Sequence, residues 1–359
     1  MNDMRPLPDR RATHAVARIG LTLLLAAAGG AIMWYLQMPL AWLLGAMAAT
    51  GLGAIMGLPM AMPAVARIPM LAVIGTTLGS TFSADVLAQA GGWLIPLGGL
   101  LAYICAAGAA CNLYFRRIAG FDQPTAFFSG MPGGVVEMVE LGVERGGNAK
   151  TIALIHAARI FLVVLCLPFL IEWLLGTDLG RGAQPYVPFT AFDKGDVTWF
   201  LAATVLGLLI GRLARLPAYF LLGPMLASAA LHASGTTSFT LPTIPLSLAQ
   251  IVVGAAVGCR FAGTAPRLVA RILLISIGAT AILLALTFVF SVMVAAVTGD
   301  PVEALLLAYS PGGIAEMSLI ALSLKIEVAF VACNHIARVF IVIAGASAVF
   351  GQLTSQSRS

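Results

Sequence analysis

The sequence predicts an all-α, polytopic membrane protein with an inverted repeat of five plus five transmembrane helices. Its composition is 60% hydrophobic and 10% charged, with a mean hydropathy of +0.98, so lipid must be its solvent. A heptapeptide also occurs twice, 179 residues apart, as PGGVVEM at 132–138 and PGGIAEM at 311–317. Each half is therefore predicted to contain one Pro-Gly-Gly segment that is re-entrant or forms a broken helix.

The repeat extends beyond the heptapeptide. His156 and Arg159 return as His335 and Arg338 at the same spacing. Further matches upstream allow the chain to be divided into five parts. These are a cytoplasmic tail (1–18), a first membrane repeat (19–175), a linker (176–196), a second membrane repeat (197–350) and a C-terminal tail (351–359).

Ten apolar runs are long enough to be candidate membrane helices, since a bilayer core of about 30 Å needs about 20 helical residues. The first run follows a basic stretch, as in a signal peptide, but it has a counterpart in the second half and is predicted to be retained. In chain order the runs lie near 19–36, 40–58, 68–82, 93–115, 151–175, 197–211, 218–232, 244–261, 271–297 and 328–350.

The positive charges favour re-entrant Pro-Gly-Gly segments over segments that cross fully. With full crossings, several arginines of the second half would fall outside, against the positive-inside tendency. With re-entrant segments, each half has five crossings, the halves are inverted, and both termini are cytoplasmic. The short-loop arginines are then cytoplasmic as well, namely Arg67, Arg116, Arg117, Arg212, Arg215, Arg267 and Arg271.

Each Pro-Gly-Gly segment is predicted to form a substrate or ion site. A helix that restarts after the break offers free N–H groups to an anion, and the unwound carbonyls alongside could hold a cation such as Na⁺. The glutamate three residues on would then bind a cation or proton. Alternatively it caps the broken backbone or pairs with an arginine. The candidate residues are Gly133, Gly134, Glu137, Gly312, Gly313 and Glu316.

The repeated histidine and arginine are further candidates for the site. In each copy they are three residues apart, on one helical face, and the arginine lies near mid-membrane. Arg159 and Arg338 therefore need partners, either Glu137 and Glu316 in structural ion pairs or an anionic substrate held by the guanidinium fork. His156 and His335 could relay protons, since the ordinary pKa of histidine is near neutrality, or bond to backbone.

Other kinds of chemistry find no support in the sequence. The five cysteines lie in apolar runs without CxxC spacing, and we expect neither a metal site nor a cofactor. The sequence has no basic stripe with interleaved aromatic residues, so we expect no direct contact with nucleic acid. There is no Walker loop and no HExxH motif. A copper enzyme is also disfavoured, because each repeated histidine lies beside an arginine whose charge would repel the metal ion. We therefore expect the protein not to be an enzyme.

The duplicated PGGxxEM motif with a downstream HxxR resembles the AbrB-type integral membrane proteins of Gram-negative bacteria, over essentially the whole chain after residue 19. Members are labelled as regulators of gene expression and sometimes as an ammonia monooxygenase. The architecture is also similar to that of citrate and glutamate sodium symporters. That resemblance implies hairpin tips that meet near mid-membrane at Gly133, Gly134, Gly312 and Gly313. A homodimer is compatible with it, although no residue pattern indicates a dimer face.

Two functions follow from these features. The first is a secondary transporter of a small anionic metabolite that works by alternating access, with the lipid bilayer and a small-molecule or ion substrate as its partners. The alternative is a membrane-bound regulator of gene expression, which acts directly through a partner or indirectly through metabolite levels. The repeat and the buried charges favour the transporter, whereas the family label favours the regulator.

Overall fold

The computed structural model describes residues 10–175 and 186–356, and within these ranges the chain is helical without a strand. The predicted cytoplasmic tail, linker and C-terminal tail lie partly outside the described residues. Helix α1 begins at Arg10, and the last helix continues to Gln356. The limits of the five predicted parts remain predictions.

Eight α-helices precede the undescribed stretch and seven follow it. In the first half they are α1 (Arg10–Tyr35), α2 (Ala41–Ile55), α3 (Ala64–Gly79), α4 (Ala84–Ala88), α5 (Leu94–Arg117), α6 (Gln123–Gly130), α7 (Val135–Glu144) and α8 (Ala149–Leu175). In the second half they are α9 (Lys194–Leu213), α10 (Tyr219–Ala233), α11 (Thr243–Gly258), α12 (Pro266–Thr298), α13 (Val302–Tyr309), α14 (Ile314–Ser323) and α15 (Val328–Gln356).

Seven of the described helical segments are long and apolar enough to cross a membrane. They lie in α1, α5, α8, α9, α11, α12 and α15. The other three runs predicted from the sequence form shorter apolar helices, α2, α3 and α10, of 15 or 16 residues. The protein is therefore a multi-pass, membrane-type helical protein, as its composition predicts.

Matching helices recur at nearly constant spacing. Helices α3, α6, α7 and α8 begin 179 residues before α11, α13, α14 and α15. Even unusual backbone geometry recurs, because Leu40 (φ 49°) and Ala218 (φ 46°) both adopt the left-handed conformation just before α2 and α10. A residue with a Cβ rarely takes this conformation, so its presence at two related positions reflects the same local packing.

Glycines hold six helices in very close contact. A methyl group on Gly29 of α1 would collide with the backbone of Gly45 in α2, and one on Gly75 of α3 would collide with the carbonyl oxygen of Leu221 in α10. Equivalent contacts join α9 to α10 and α11 to α2. Small residues allow backbones to approach in this way within a membrane. We refer to α1, α2, α3, α9, α10 and α11 as the glycine-packed group.

The remaining long helices surround the two Pro-Gly-Gly segments. Helix α5 packs against α6 and α12, while α8 and α15 each pack against the pair of short helices in their own half. Buried aromatic rings support this arrangement. Tyr103 of α5 stacks on Tyr309 of α13, whose hydroxyl donates a hydrogen bond of 2.6 Å to the carbonyl of Pro96. We refer to α5–α8 and α12–α15 as the hairpin group.

Candidate functional site

Both Pro-Gly-Gly segments interrupt a helix. In the first half α6 ends at Gly130 and α7 begins at Val135, and in the second half α13 ends at Tyr309 and α14 begins at Ile314. Proline lacks an N–H donor, and glycine adds backbone freedom, so a helix does not continue through them. The last carbonyls of α6 and α13 and those of the unwound residues consequently need donors from elsewhere.

In the first half, α8 supplies these donors. Arg159 donates from Nη1 to the carbonyl of Met131 at 3.0 Å and from Nη2 to the carbonyl of Gly133 at 3.4 Å. His156 donates from Nε2 to the carbonyl of Phe128 at 2.8 Å. A cation at the C-terminal end of a helix also faces its negative dipole end. The pair therefore fixes the end of α6 and the unwound turn.

The second half repeats the arrangement. Arg338 donates to the carbonyls of Ser310 and Gly312, and His335 bonds the carbonyl of Leu307 at 3.0 Å. Each acceptor lies 179 residues after its counterpart. Among the described residues, neither arginine forms an ion pair with Glu137 or Glu316. The partners of the arginines are thus the backbone carbonyls of the breaks, which sequence reasoning did not consider.

The histidines differ between the two halves. The Nδ1 of His156 accepts a hydrogen bond of 2.9 Å from Arg159, which requires the proton of the neutral ring to be on Nε2. The Nδ1 of His335 is buried and has no hydrogen-bond partner among the described residues. Both rings are fully buried.

The two breaks meet at one cavity of about 590 Å³. This volume suits a small-molecule ligand, since such sites span about 300–1,000 Å³. Of the predicted site residues, all but the two histidines contribute to its wall. Those that do are Gly133, Gly134, Glu137, Arg159, Gly312, Gly313, Glu316 and Arg338. His156 and His335 instead lie behind the wall and hold the ends of α6 and α13.

Each glutamate lies over the start of its helix. Glu137 and Glu316 are in the first turns of α7 and α14, where a carboxylate faces the positive end of the helix dipole. A Cβ on Gly134 or Gly313 would collide with the carboxylate of Glu137 or Glu316, respectively. The second glycine of each motif therefore gives its glutamate room to fold over the helix terminus.

Two further residues of the cavity wall, Arg67 and Arg260, were not predicted from the sequence. Arg67 lies in the first turn of α3, and Arg260 lies in the short 3₁₀ turn Cys259–Phe261 after α11. The repeat could not reveal them, because the residues at the matching positions are Leu246 and Thr81. The only signal in the sequence was that each arginine lies at the edge of an apolar run. Arg67 was predicted to lie in a short loop.

Metal-binding residues do not cluster in the described parts of the chain. No group of three or more His, Cys, Asp or Glu side chains there is placed to hold a metal ion. The charged groups at the cavity are guanidinium groups and carboxylates. Such groups can bind small ions by hydrogen bonds and charge.

Comparison with known proteins places this arrangement in a family. In Bacillus subtilis (strain 168), the protein named "Uncharacterized protein YhjN" is 28% identical over 286 residues, which cover 76% of this chain and 74% of that protein. In Escherichia coli (strain K12), "Putative regulator AbrB" is 26% identical over 226 residues, which cover 63% of this chain and 64% of that protein. The profile of the family described as "Transition state regulatory protein AbrB" matches residues 42–354. Since this match spans most of the chain, the protein belongs to the AbrB family.

Proposed function

We propose that the protein is a secondary transporter that moves a small anionic metabolite across the membrane by alternating access. The observation that carries this proposal is the cavity of about 590 Å³ at which both helix breaks meet. Four arginines and two glutamates line it, so cations outnumber carboxylates. Ionisable groups at membrane depth are costly, and they commonly mark a substrate or ion pathway.

The proposed topology is an inverted repeat of five plus five crossings with a re-entrant hairpin in each half. Helices α6 and α7 have eight and ten residues, as do α13 and α14, so none of them can cross a bilayer alone. A segment that turns back at the Pro-Gly-Gly leaves an odd number of crossings per half. Such a chain would have both termini and its positive loops on the cytoplasmic side, and we propose that the membrane is the bacterial inner membrane.

Alternating access would come from relative movement of two groups of helices. Arg67, Ala218 and Leu222, in or next to the glycine-packed group, line the cavity together with the breaks of the hairpin group. Close glycine contacts make the first group a rigid support. A shift of the hairpin group against that support could open the cavity to either side of the membrane.

The two glutamates would couple transport to a cation. Glu137 and Glu316 form no hydrogen bond or ion pair with a described residue, although both face the cavity. A proton or Na⁺ bound there would offset their charge when an anion enters. The substrate and the coupling ion would then bind cooperatively, because each reduces the repulsion that the other meets.

A regulatory role is the second candidate, and the printed name of the Escherichia coli relative favours it. It can be reconciled with transport if this protein changes the concentration of an inducing metabolite. A direct role would instead require a cytoplasmic partner. The two versions differ in whether blocking transport also removes the effect on gene expression.

The test is binding followed by flux with purified full-length protein. Small carboxylates, amino acids and ammonium are screened by thermal unfolding, with and without Na⁺, and each stabilising compound is then tested for uptake into proteoliposomes. A ligand at a hundred times its dissociation constant stabilises the folded state by about 2.7 kcal/mol. We expect a small anion to stabilise the protein and to be taken up.

Glu316→Gln should abolish this uptake, while Glu140→Gln should retain it. Glu140 is the matched control, because it is an exposed glutamate on α7 outside the cavity wall. Normal uptake by Glu316→Gln would remove the proposed coupling role. If no compound is bound or transported while a cytoplasmic protein is captured by the intact chain, the direct regulatory role replaces transport.

A further inference from the structure

Two further arginines line the cavity from outside the helix breaks. Arg67 and Arg260 belong to α3 and to the turn after α11, both within or directly following the glycine-packed group. Both arginines line the cavity, as does the carboxylate-bearing Glu316. Two guanidinium groups outside the breaks thus face the same cavity.

This pair lacks the partners that the other two arginines have. Arg159 and Arg338 donate to the carbonyls of the breaks, whereas Arg67 and Arg260 form no hydrogen bond or ion pair with a described residue. The Nη1 atom of Arg260 is fully enclosed and still without an acceptor. A buried donor left without an acceptor costs about 1–3 kcal/mol, and more when it is charged. An acceptor oxygen of a bound anion would remove this cost.

A carboxylate or phosphate supplies what is missing. Its oxygens accept paired hydrogen bonds from a guanidinium fork, and its charge offsets the repulsion between two neighbouring arginines. The repeat does not duplicate this pair, so the cavity has one such position. Four arginines and two glutamates line the cavity, which leaves an excess of two positive charges.

We propose that Arg67 and Arg260 bind one acidic group of a substrate that carries at least two negative charges, and so select small dianions over monoanions. This inference rests on the proposed transport function and names its substrate class. One carboxylate or phosphate group lies between the two arginines on the glycine-packed side. The rest of the molecule extends towards Arg159 and Arg338, which line the same cavity.

The experiment compares anions of different charge on purified full-length protein. Thermal unfolding is followed with succinate or inorganic phosphate as dianions and with acetate or chloride as monoanions, at equal ionic strength and constant Na⁺. We expect the dianions to stabilise the wild type at concentrations at least tenfold lower than the monoanions. Arg67→Gln and Arg260→Gln should each raise the required dianion concentration by about tenfold or more, as expected for the loss of a charge-assisted hydrogen bond.

Arg212→Gln is the matched control, because Arg212 is exposed near the end of α9 and lies outside the cavity wall. It should leave the response to both classes of anion unchanged. Without added anion, Arg67→Gln and Arg260→Gln should unfold at the same temperature as the wild type or higher, since each removes a like-charge repulsion. Lower unfolding temperatures with an unchanged dianion response would show that the arginines are structural, and would overturn the proposal.

Other outcomes separate this inference from the transport proposal. Equal stabilisation by monoanions and dianions, or none by either dianion, overturns the dianion site. Uptake of a monoanion by the wild type would then still support transport. Added phosphatidylglycerol tests the remaining source of the same chemistry. If that lipid stabilises the wild type but not Arg260→Gln, and succinate and phosphate have no effect, the pair binds a lipid headgroup and not a substrate.

Discussion

Helices α7 and α14 occupy matching places after the two breaks, yet they differ in how deeply they are enclosed. In α7 only Met138 and Gly142 are buried. In α14 seven of the ten residues are buried, and the helix contacts α3 and α8 in addition to α13 and α15 of its own half. The hydrogen bonds that fix the two breaks are nevertheless almost the same. The two halves thus share the Pro-Gly-Gly break and the hydrogen bonds that hold it, and they differ in how far the outer face of the following helix is covered.

The outer faces differ for a reason that is visible in the sequence. Glu140, Glu144 and Arg145 of the first half stand where the second half has Leu319, Ser323 and Leu324. The three charged side chains are exposed, whereas Leu319 is fully buried. The first break is therefore the more accessible one in this conformation. An alternating-access mechanism would require α14 to become the more accessible helix in another state.

The largest effect should come from removing the guanidinium at the enclosed break. Arg338→Ala leaves the carbonyls of Ser310 and Gly312 without donors, and both of these residues are buried, so we expect a loss of about 3–5 kcal/mol in the free energy of unfolding. Arg159→Ala should lose less, roughly 2 kcal/mol, because water in the cavity can reach the half-buried Gly133. Denaturation of the purified variants measures both.

Arg116→Ala is the control for Arg159→Ala and Arg338→Ala. Arg116 is exposed at the end of α5, so its substitution should change stability by about 0.5 kcal/mol or less. Arg338→Lys should fall between the wild type and Arg338→Ala, since an ammonium group can replace part of the fork. Equal losses for Arg159→Ala and Arg338→Ala would show that the breaks are equally shielded, which contradicts the comparison.

Thiol labelling tests the same difference without disturbing the breaks. Val136 and Ala315 hold equivalent positions, but Val136 is 64% exposed and Ala315 is 3% exposed. In a background without the five native cysteines, Val136→Cys should react with a water-soluble maleimide at least about tenfold faster than Ala315→Cys, because a buried thiol is inert. Similar rates would mean that α14 is as accessible as α7.

A stabilising anion would sharpen this labelling experiment. If the protein alternates between two states, a ligand that favours one of them should change the two rates in opposite directions. A ligand that slows both reactions would only cover the cavity. The direction of the change therefore distinguishes a conformational shift from simple protection.

The sequence predicts much of this architecture because the breaks depend on residue type. Two copies of PGG with a following glutamate indicate where helices stop and restart, and the ten apolar runs correspond to described helices. It does not predict the partners of Arg159 and Arg338, because their acceptors are backbone carbonyls and any residue type supplies one. Met131 and Ser310 are equivalent acceptors with unrelated side chains.

Arg67 and Arg260 were missed for a different reason. Repetition was the criterion for a site residue, and neither arginine is repeated. The cavity is lined by residues of both the glycine-packed group and the hairpin group, which are distant along the chain. A motif search within one half therefore identifies the breaks but not the other residues of the cavity wall.

The smallest effect on stability should come from substituting the two glutamates, and it bears directly on the comparison of the two breaks. Glu137→Gln and Glu316→Gln each remove a charge from the first turn of a helix, which costs about 0.3–1 kcal/mol. Glu316 also offsets the charge of Arg260, so its substitution should cost a few tenths of a kcal/mol more. Combining Glu316→Gln with Arg260→Gln in a double-mutant cycle measures this coupling. A coupling of zero would show that Arg260 relies on the bound anion alone, whereas a similar coupling between Glu137 and Arg260 would show that the two breaks face the arginine equally.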